Sequence, residues 1–211
     1  MKDDDTEVQR RSLLQMAAGA ALTSAGAANA ATPAATAAAT AATPAPDAAK
    51  GAATPRVLPP TGKAGDFDFL IGQWKINNRR LKTPGSNDWD VFEGEATCWS
   101  ILGGVASIEE LRIPARNFSG MGLRLLDVER RVWADFWVNS RSGVLVPPPT
   151  EGVFENGAGR FVSEDTEGSP PMQVLGLWDG ITANACRWTQ SLSYDGGKTW
   201  QGQWFMTWTR A

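Results

Sequence analysis

Beyond about residue 70, apolar and polar residues trade places every one or two positions, in short runs broken by glycine, proline and asparagine. The clearest run closes the chain. SYDGGKTWQGQWFMTWTRA sets Trp200, Trp204 and Trp208 four apart, a spacing that fits one face of a helix and equally every second residue on one face of a strand. Asp195-Gly196-Gly197 just ahead is a hairpin signal. Gly202 and the threonines 199, 207 and 209 oppose a helix and suit a pleated surface. Period two then puts Trp200, Gly202, Trp204, Met206, Trp208 and Arg210 on an inner face, and Gln201, Gln203, Phe205, Thr207 and Thr209 on an outer one.

The same reading runs back along the chain. Strand-like stretches fall near 70–82, 88–102, 104–113, 120–127, 131–140, 151–156, 159–165, 172–178, 183–193 and 199–210. Turn signals separate them: Pro84-Gly85-Ser86-Asn87, Gly103-Gly104, Asn156-Gly157, Gly168-Ser169-Pro170 and Asp179-Gly180. About ten short strands with hairpin connections, and no helix longer than a turn, predict an all-β fold. A single antiparallel barrel is expected, because closure leaves no edge strand to protect. Ten strands also exceed what side chains comfortably fill, which predicts an interior cavity.

The first 64 residues do not share this pattern. Arg10-Arg11-Ser12-Leu13-Leu14-Gln15 precedes a mildly apolar run over 16–28, and Ala28-Asn29-Ala30 is a cleavage site. Residues 1–30 therefore read as a signal peptide of twin-arginine type, with an ordinary Sec signal as the alternative. The expected location is the bacterial periplasm. Residues 31–64 are Ala, Thr and Pro, with prolines at 33, 44, 46, 55, 59 and 60. They lack the large apolar side chains that would offset ordering entropy, and read as a disordered tether. The folded domain is then 65–211, and nothing in it is apolar enough for a membrane span.

Composition narrows the chemistry. The chain has 211 residues, a formal net charge of −3, ten Trp, two Cys and no His. A mildly acidic domain without a basic stripe excludes nucleic acid as an expected partner. Without His or a Cys cluster, no metal site and no cofactor are expected, and a Ser–His or Cys–His nucleophile is excluded. Cys98 and Cys186 sit in separate strand-like runs and read as two buried free thiols, with one disulfide as the alternative.

Phe67-Asp68-Phe69-Leu70-Ile71-Gly72-Gln73-Trp74 resembles the opening of a lipocalin-like (calycin) barrel, an apolar turn and then Gly-x-Trp. Thr207-Trp208-Thr209-Arg210 is similar to its counterpart on the last strand. The wider pattern, with Gly120-Met121-Gly122-Leu123-Arg124-Leu125, 133–138 and 193–200, resembles an exported bacterial lipocalin-like family of unassigned function. The resemblance implies that Arg210 lies across Trp74 and seals one barrel end. Related haem-binding barrels hold iron through a histidine, which this chain lacks. Ser193-x-Asp195-x-Gly197-x-Thr199-Trp200 also resembles the Asp box that sialidase propellers repeat. Here it occurs once, and reads as a hairpin device.

The more apolar alternation on each strand gives its inner face. Trp74 brings Ile76, Asn78 and Arg80 inside; Val105, Leu111 and Ile113 bring Ser107 and Glu109. Trp133 and Trp137 bring Asp135 and Asn139, and Trp188 and Leu192 bring Gln190. The expected site is a cavity walled by Trp133, Trp137, Trp188, Trp204 and Phe92, with Gln190 as a polar anchor, for a small hydrophobic or aromatic molecule. An acid between two tryptophans must be paired, protonated or turned to ligand and water, and Arg80, Arg124 and Arg187 are possible partners for Asp135. Three functions stay open: a binding protein, a cofactor-free lyase, isomerase or cyclase with Asp135 and Glu109 as acid and base, or an envelope interaction module whose tether reaches a partner. The export reading makes its own prediction. The mature protein begins near Ala31 by N-terminal sequencing, and replacing Arg10 and Arg11 with lysine strands the precursor in the cytoplasm; undisturbed export would favour Sec.

Overall fold

A computed structural model of the protein describes residues 57–165 and 171–211. The expected signal peptide, the tether up to residue 56 and the Gly168-Ser169-Pro170 turn lie outside them. Ten strands follow one another: β1 (Gly72–Leu81), β2 (Trp89–Ile101), β3 (Ala106–Ile113), β4 (Phe118–Asp127), β5 (Val132–Asn139), β6 (Thr150–Glu155), β7 (Ala158–Asp165), β8 (Met172–Asp179), β9 (Ala185–Ser193) and β10 (Gln201–Arg210). Each pairs antiparallel with the next, and β10 returns to β1, so the sheet is a closed barrel. The helical content of the described residues is three 3-10 turns of one turn each, at Asp68–Leu70, Leu102–Gly104 and Pro114–Arg116.

Alternation fixes what faces the interior. β1 buries Trp74, Ile76 and Asn78 while Gln73, Lys75, Asn77 and Arg79 are exposed. Ser107, Glu109, Leu111 and Ile113 line up inward on β3 as expected. β10 departs from the simple pattern. Gly202 is opposite Ser191 and Trp204 is opposite Gln190, leaving Gln203 as the extra residue of a bulge. The bulge turns Gly202 to the outside, where a Cβ would come within 2.4 Å of the Phe205 ring. Trp200 is likewise not on the inner face with Trp204: it lies over the exposed Arg160 of β7, Cζ 5.3 Å from the ring centre. Period two is correct along 204–208 and fails across Gln203.

One end of the barrel is plugged by the chain entering it. Phe67 and Leu70 are buried beneath β1, with Phe67 edge-on to Trp133 and to Phe154 at 4.9 Å each. The anchored segment begins ahead of Gly65: the Gly62 amide donates to the Arg131 carbonyl at 2.8 Å, and Arg131 Nε donates back to the Gly62 carbonyl at 3.1 Å. Gly65 is tied to the Gly104 carbonyl at 3.0 Å. Arg210 then closes the end. Its Cζ stands 3.8 Å from the centre of the Trp74 ring. Its guanidinium donates to the carbonyls of Ile71, Phe69 (3.2 Å) and Ala183 (3.0 Å). Gly72 is required here, since its φ is +112° and a Cβ would meet Arg210 Nη1 at 3.0 Å.

The 193–200 hairpin, at the opposite end, is a turn device. Asp195 accepts from the amides of Lys198 and Thr199 and from the hydroxyls of Ser193 and Thr199 at 2.6–3.0 Å. Those bonds hold its carboxyl well below the usual range. The closure carries a stability prediction. Arg210→Ala removes a cation–π contact and three charged hydrogen bonds, and should cost about 1–3 kcal/mol in thermal or denaturant unfolding. Combined with Trp74→Phe the losses should be less than additive; full additivity would mean the two side chains act separately.

Candidate functional site

The indoles fill most of the barrel. What remains is an interior cavity of about 60 Å³, walled by Trp137, Trp178, Trp188, Trp204 and Trp208, with Glu109, Arg124 and Asp135 among its lining. The register puts these charges on adjacent strands: Arg124 of β4 is directly opposite Asp135 of β5, and Glu109 of β3 is opposite Gly122 of β4. Glycine on β4 makes the room. A Cβ at Gly120 would sit 2.3 Å from the Trp137 ring, and one at Gly122 would sit 3.0 Å from Arg124 Nη2. Gly120-Met121-Gly122 therefore seats both an indole and an ion pair.

Arg124 treats its two carboxylates unequally. Nη2 bonds Glu109 Oε2 at 2.5 Å, while Nε stands 3.5 Å from Asp135 Oδ1 without hydrogen-bond geometry. All three line the cavity, but Glu109 and Arg124 expose only 4% and 5% of their side chains, whereas Asp135 exposes 24%. Glu109 is thus the structural counter-ion, and Asp135 is the acid that meets the cavity. Removal from bulk water pushes the Asp135 carboxyl up to about 6; Arg124 opposes that shift and the Glu109 charge adds to it. Burial works against the Arg124 charge as well, yet Glu109 and Asp135 together hold its proton more tightly than usual.

Several donors around the cavity have no acceptor among the described residues. They are Arg124 Nη1 and the indole N–H groups of Trp137, Trp178 and Trp208. Trp204 is satisfied, donating to Asn78 Oδ1 at 2.9 Å. Cys98 and Cys186 are both buried free thiols. Burial first, then the Glu109 charge, pushes Cys186 up to about 12 and Cys98 in the same direction, so neither is a ready nucleophile.

Among the side chains expected at the site, Trp137, Trp188, Trp204, Asp135 and Glu109 come together around the cavity. Trp133 does not reach it. It is fully buried in the plug, edge-on to Phe67, with its N–H on Asp66 Oδ2 at 3.1 Å. Gln190 is buried opposite Gly176 and Trp204, outside the cavity lining. Phe92 also lies outside the lining, beside Trp204 at the end away from the plug. Trp178 was missed, although the alternation Val174, Gly176, Trp178 on β8 marks it as inward. A larger open groove of about 450 Å³ runs beside Trp99, Ile108 and Met121. Its Glu110 is already paired with Arg112 at 2.7 Å, and it offers no comparable convergence of unpaired donors.

No protein-family model matches the sequence, and neither does any curated protein. Among solved structures, the chain is similar to a redesigned beta barrel at 12% identity and a TM-score of 0.36, over 72% of this chain and 99% of that one. It is also similar to a DUF3598-family protein of unknown function from Nostoc punctiforme, at 14% identity and a TM-score of 0.37, over 76% of this chain and 53% of that one.

The unequal triad predicts a pH dependence. A folded-state value near 6, above the ordinary 3.8, means that the folded protein binds the Asp135 proton more tightly than the unfolded chain does. Stability therefore falls as pH rises through that window, and the penalty is complete above its upper limit. Asp135→Asn should raise the melting temperature at neutral pH, by at most about 3 kcal/mol in stability, with the difference fading toward the lower limit. A variant that melts earlier at neutral pH would instead make Asp135 a counter-ion that Arg124 cannot spare.

Proposed function

We propose that this is an exported lipocalin-like binding protein, of calycin type, that holds a small, flat, largely apolar molecule in its Trp-lined cavity. The observation that carries the reading is the convergence of five indoles and the Asp135 carboxyl on a single interior space. Indole walls favour a flat apolar body, and the Asp135 carboxyl favours one polar group on it. Gly72-x-Trp74 with Arg210 across its face supports the calycin assignment.

Cavity size limits the guest. About 60 Å³ is well below the roughly 300–1,000 Å³ of sites for drug-sized ligands. Even a single ring requires one wall side chain to turn. Trp188 is the wall best placed to do so: it is half-buried, and its indole packs edge-on to Trp204 with no side-chain hydrogen bond among the described residues. A second reading, an acid–base enzyme, is favoured by the Asp135 carboxyl near 6, close to the value a general acid or base needs at neutral pH. In that reading Asp135 moves the proton, and Glu109 stays tied to Arg124.

Native mass spectrometry of the mature protein from its own periplasm tests the binding reading, with a retained small molecule as the expected result. Asp135→Asn should lower affinity for that molecule by about tenfold or more while the fold survives, since a hydrogen bond to a charged group is worth roughly 1.5–3 kcal/mol. The enzyme reading predicts something further: the native protein transforms the molecule, and the Asn variant still binds it without turnover. Unchanged affinity in the Asn variant would remove Asp135 from the site.

A further inference from the structure

Arg80 is the last inward-facing position of β1 before the end away from the plug, opposite Asp90 on β2 and Trp204 on β10. Its Cζ lies 5.1 Å from the centre of the Trp204 ring. The guanidinium is partly buried, yet it has no hydrogen bond or ion pair among the described residues. Arg116 comes to the same place from the 3-10 turn between β3 and β4. Its Cζ lies 3.4 Å from the centre of the Phe92 ring, and its Nη2 bonds Asp90 Oδ2 at 2.5 Å. Two guanidiniums thus share one neighbouring carboxylate, and Arg116 already holds an oxygen of it. Burial, then the charge of Arg116, pushes Arg80 down to about 10, which leaves it cationic at neutral pH.

We infer that Arg80 and Arg116 form an anion-binding site at the end of the barrel away from the plug, which takes the carboxylate of a ligand whose aromatic body lies against Trp204. A partly buried cation with no acceptor is costly, and an arriving anion removes that cost. Both guanidiniums already lie over aromatic faces, which reduces the side-chain entropy lost when a carboxylate docks. Phe92 and Trp204 themselves lie 6.4 Å apart between ring centres, which makes the two stacked arginines neighbours across one aromatic pair. Trp204 also walls the interior cavity, so one indole borders both the arginine pair and the cavity.

Charge sets the orientation. Glu109 and Asp135 sit around Arg124 in the cavity, so a further anion there meets two carboxylates and one guanidinium, whereas beside Arg80 and Arg116 it meets two guanidiniums and the one Asp90 carboxylate. The ligand class is a one-ring aromatic carboxylate, ring inward with a polar substituent toward Asp135, and carboxylate toward Arg80 and Arg116. This inference rests on the cavity-binding reading for the aromatic half and on the arginines alone for the anion.

The test uses phenylacetate, its neutral isostere phenylacetamide, and acetate, titrated in the millimolar range into the mature protein. Calorimetry gives affinities, and the NMR signals of the arginine Nε–H groups report which guanidinium is touched. Phenylacetate should bind about tenfold or more tightly than phenylacetamide, and should shift the Arg80 signal. Arg80→Gln should erase the preference, leave phenylacetamide affinity unchanged, and keep or raise the melting temperature. Arg80→Lys keeps the charge without the fork and should retain part of the preference, which covers the case in which the Gln variant fails to fold. Equal binding of acid and amide with the Arg80 signal unmoved overturns the anion site and leaves the cavity reading standing. An Arg80 shift with acetate, but no binding of either aromatic compound, supports the anion site and counts against the cavity. No shift with any of the three overturns the inference.

Discussion

Joining β10 to β1 brings a guanidinium over an indole, and the order of the barrel follows from that contact. Arg210 stacks on Trp74 and gathers carbonyls from the entering segment and from the approach to β9. One side chain thus ties together the first strand, the last strand and the plug. Because that end is sealed by charge on an aromatic face, apolar residues can pile up behind it. Trp208 and Trp178 lie 5.4 Å apart between ring centres in the next layer, and Phe67 and Trp133 pack beside them. The chemistry therefore begins where the aromatic stack stops, at the layer of Glu109, Arg124 and Asp135.

That layer is costly to build, since charges removed from water must find each other. The fold meets the cost with one short bond between Glu109 and Arg124 and leaves Asp135 partly released. A fully paired triad would be a structural rivet. A looser third member is an acid whose protonation depends on what fills the space in front of it. The same asymmetry recurs at the end away from the plug, where Asp90 is bonded to Arg116 and Arg80 is not. Each layer thus has a settled pair and one group over.

Much of this was legible in the sequence, and the omissions have physical causes. Hairpin signals and alternation gave the strands and the closed barrel, because both are local properties of the chain. The inward faces of β1, β3 and β5 were correct for the same reason. Alternation tells which side a residue faces but not how deep in the barrel it sits, so Trp133 looked equivalent to Trp137. One belongs to the plug and the other to the cavity. The Gln203 bulge was invisible because an inserted residue leaves the apolar count of β10 unchanged. Cavity size was out of reach too: it is the small remainder after large side chains are packed, and strand number fixes only the container.

Gly120 and Trp137 meet across the β4–β5 rungs so closely that neither can be enlarged alone. Such a pair makes the dimensions of the interior adjustable by exchange. A smaller ring at 137 would open space that a methyl or hydroxymethyl group at 120 could reshape, with the hydrogen-bonded ladder untouched. A lineage carrying this barrel could pass from one guest to another through paired substitutions on neighbouring strands, leaving the Arg210 seal and the Arg124 ion pair as they are. The scaffold and its selectivity would then evolve at separate positions, which is how one architecture comes to serve many ligands.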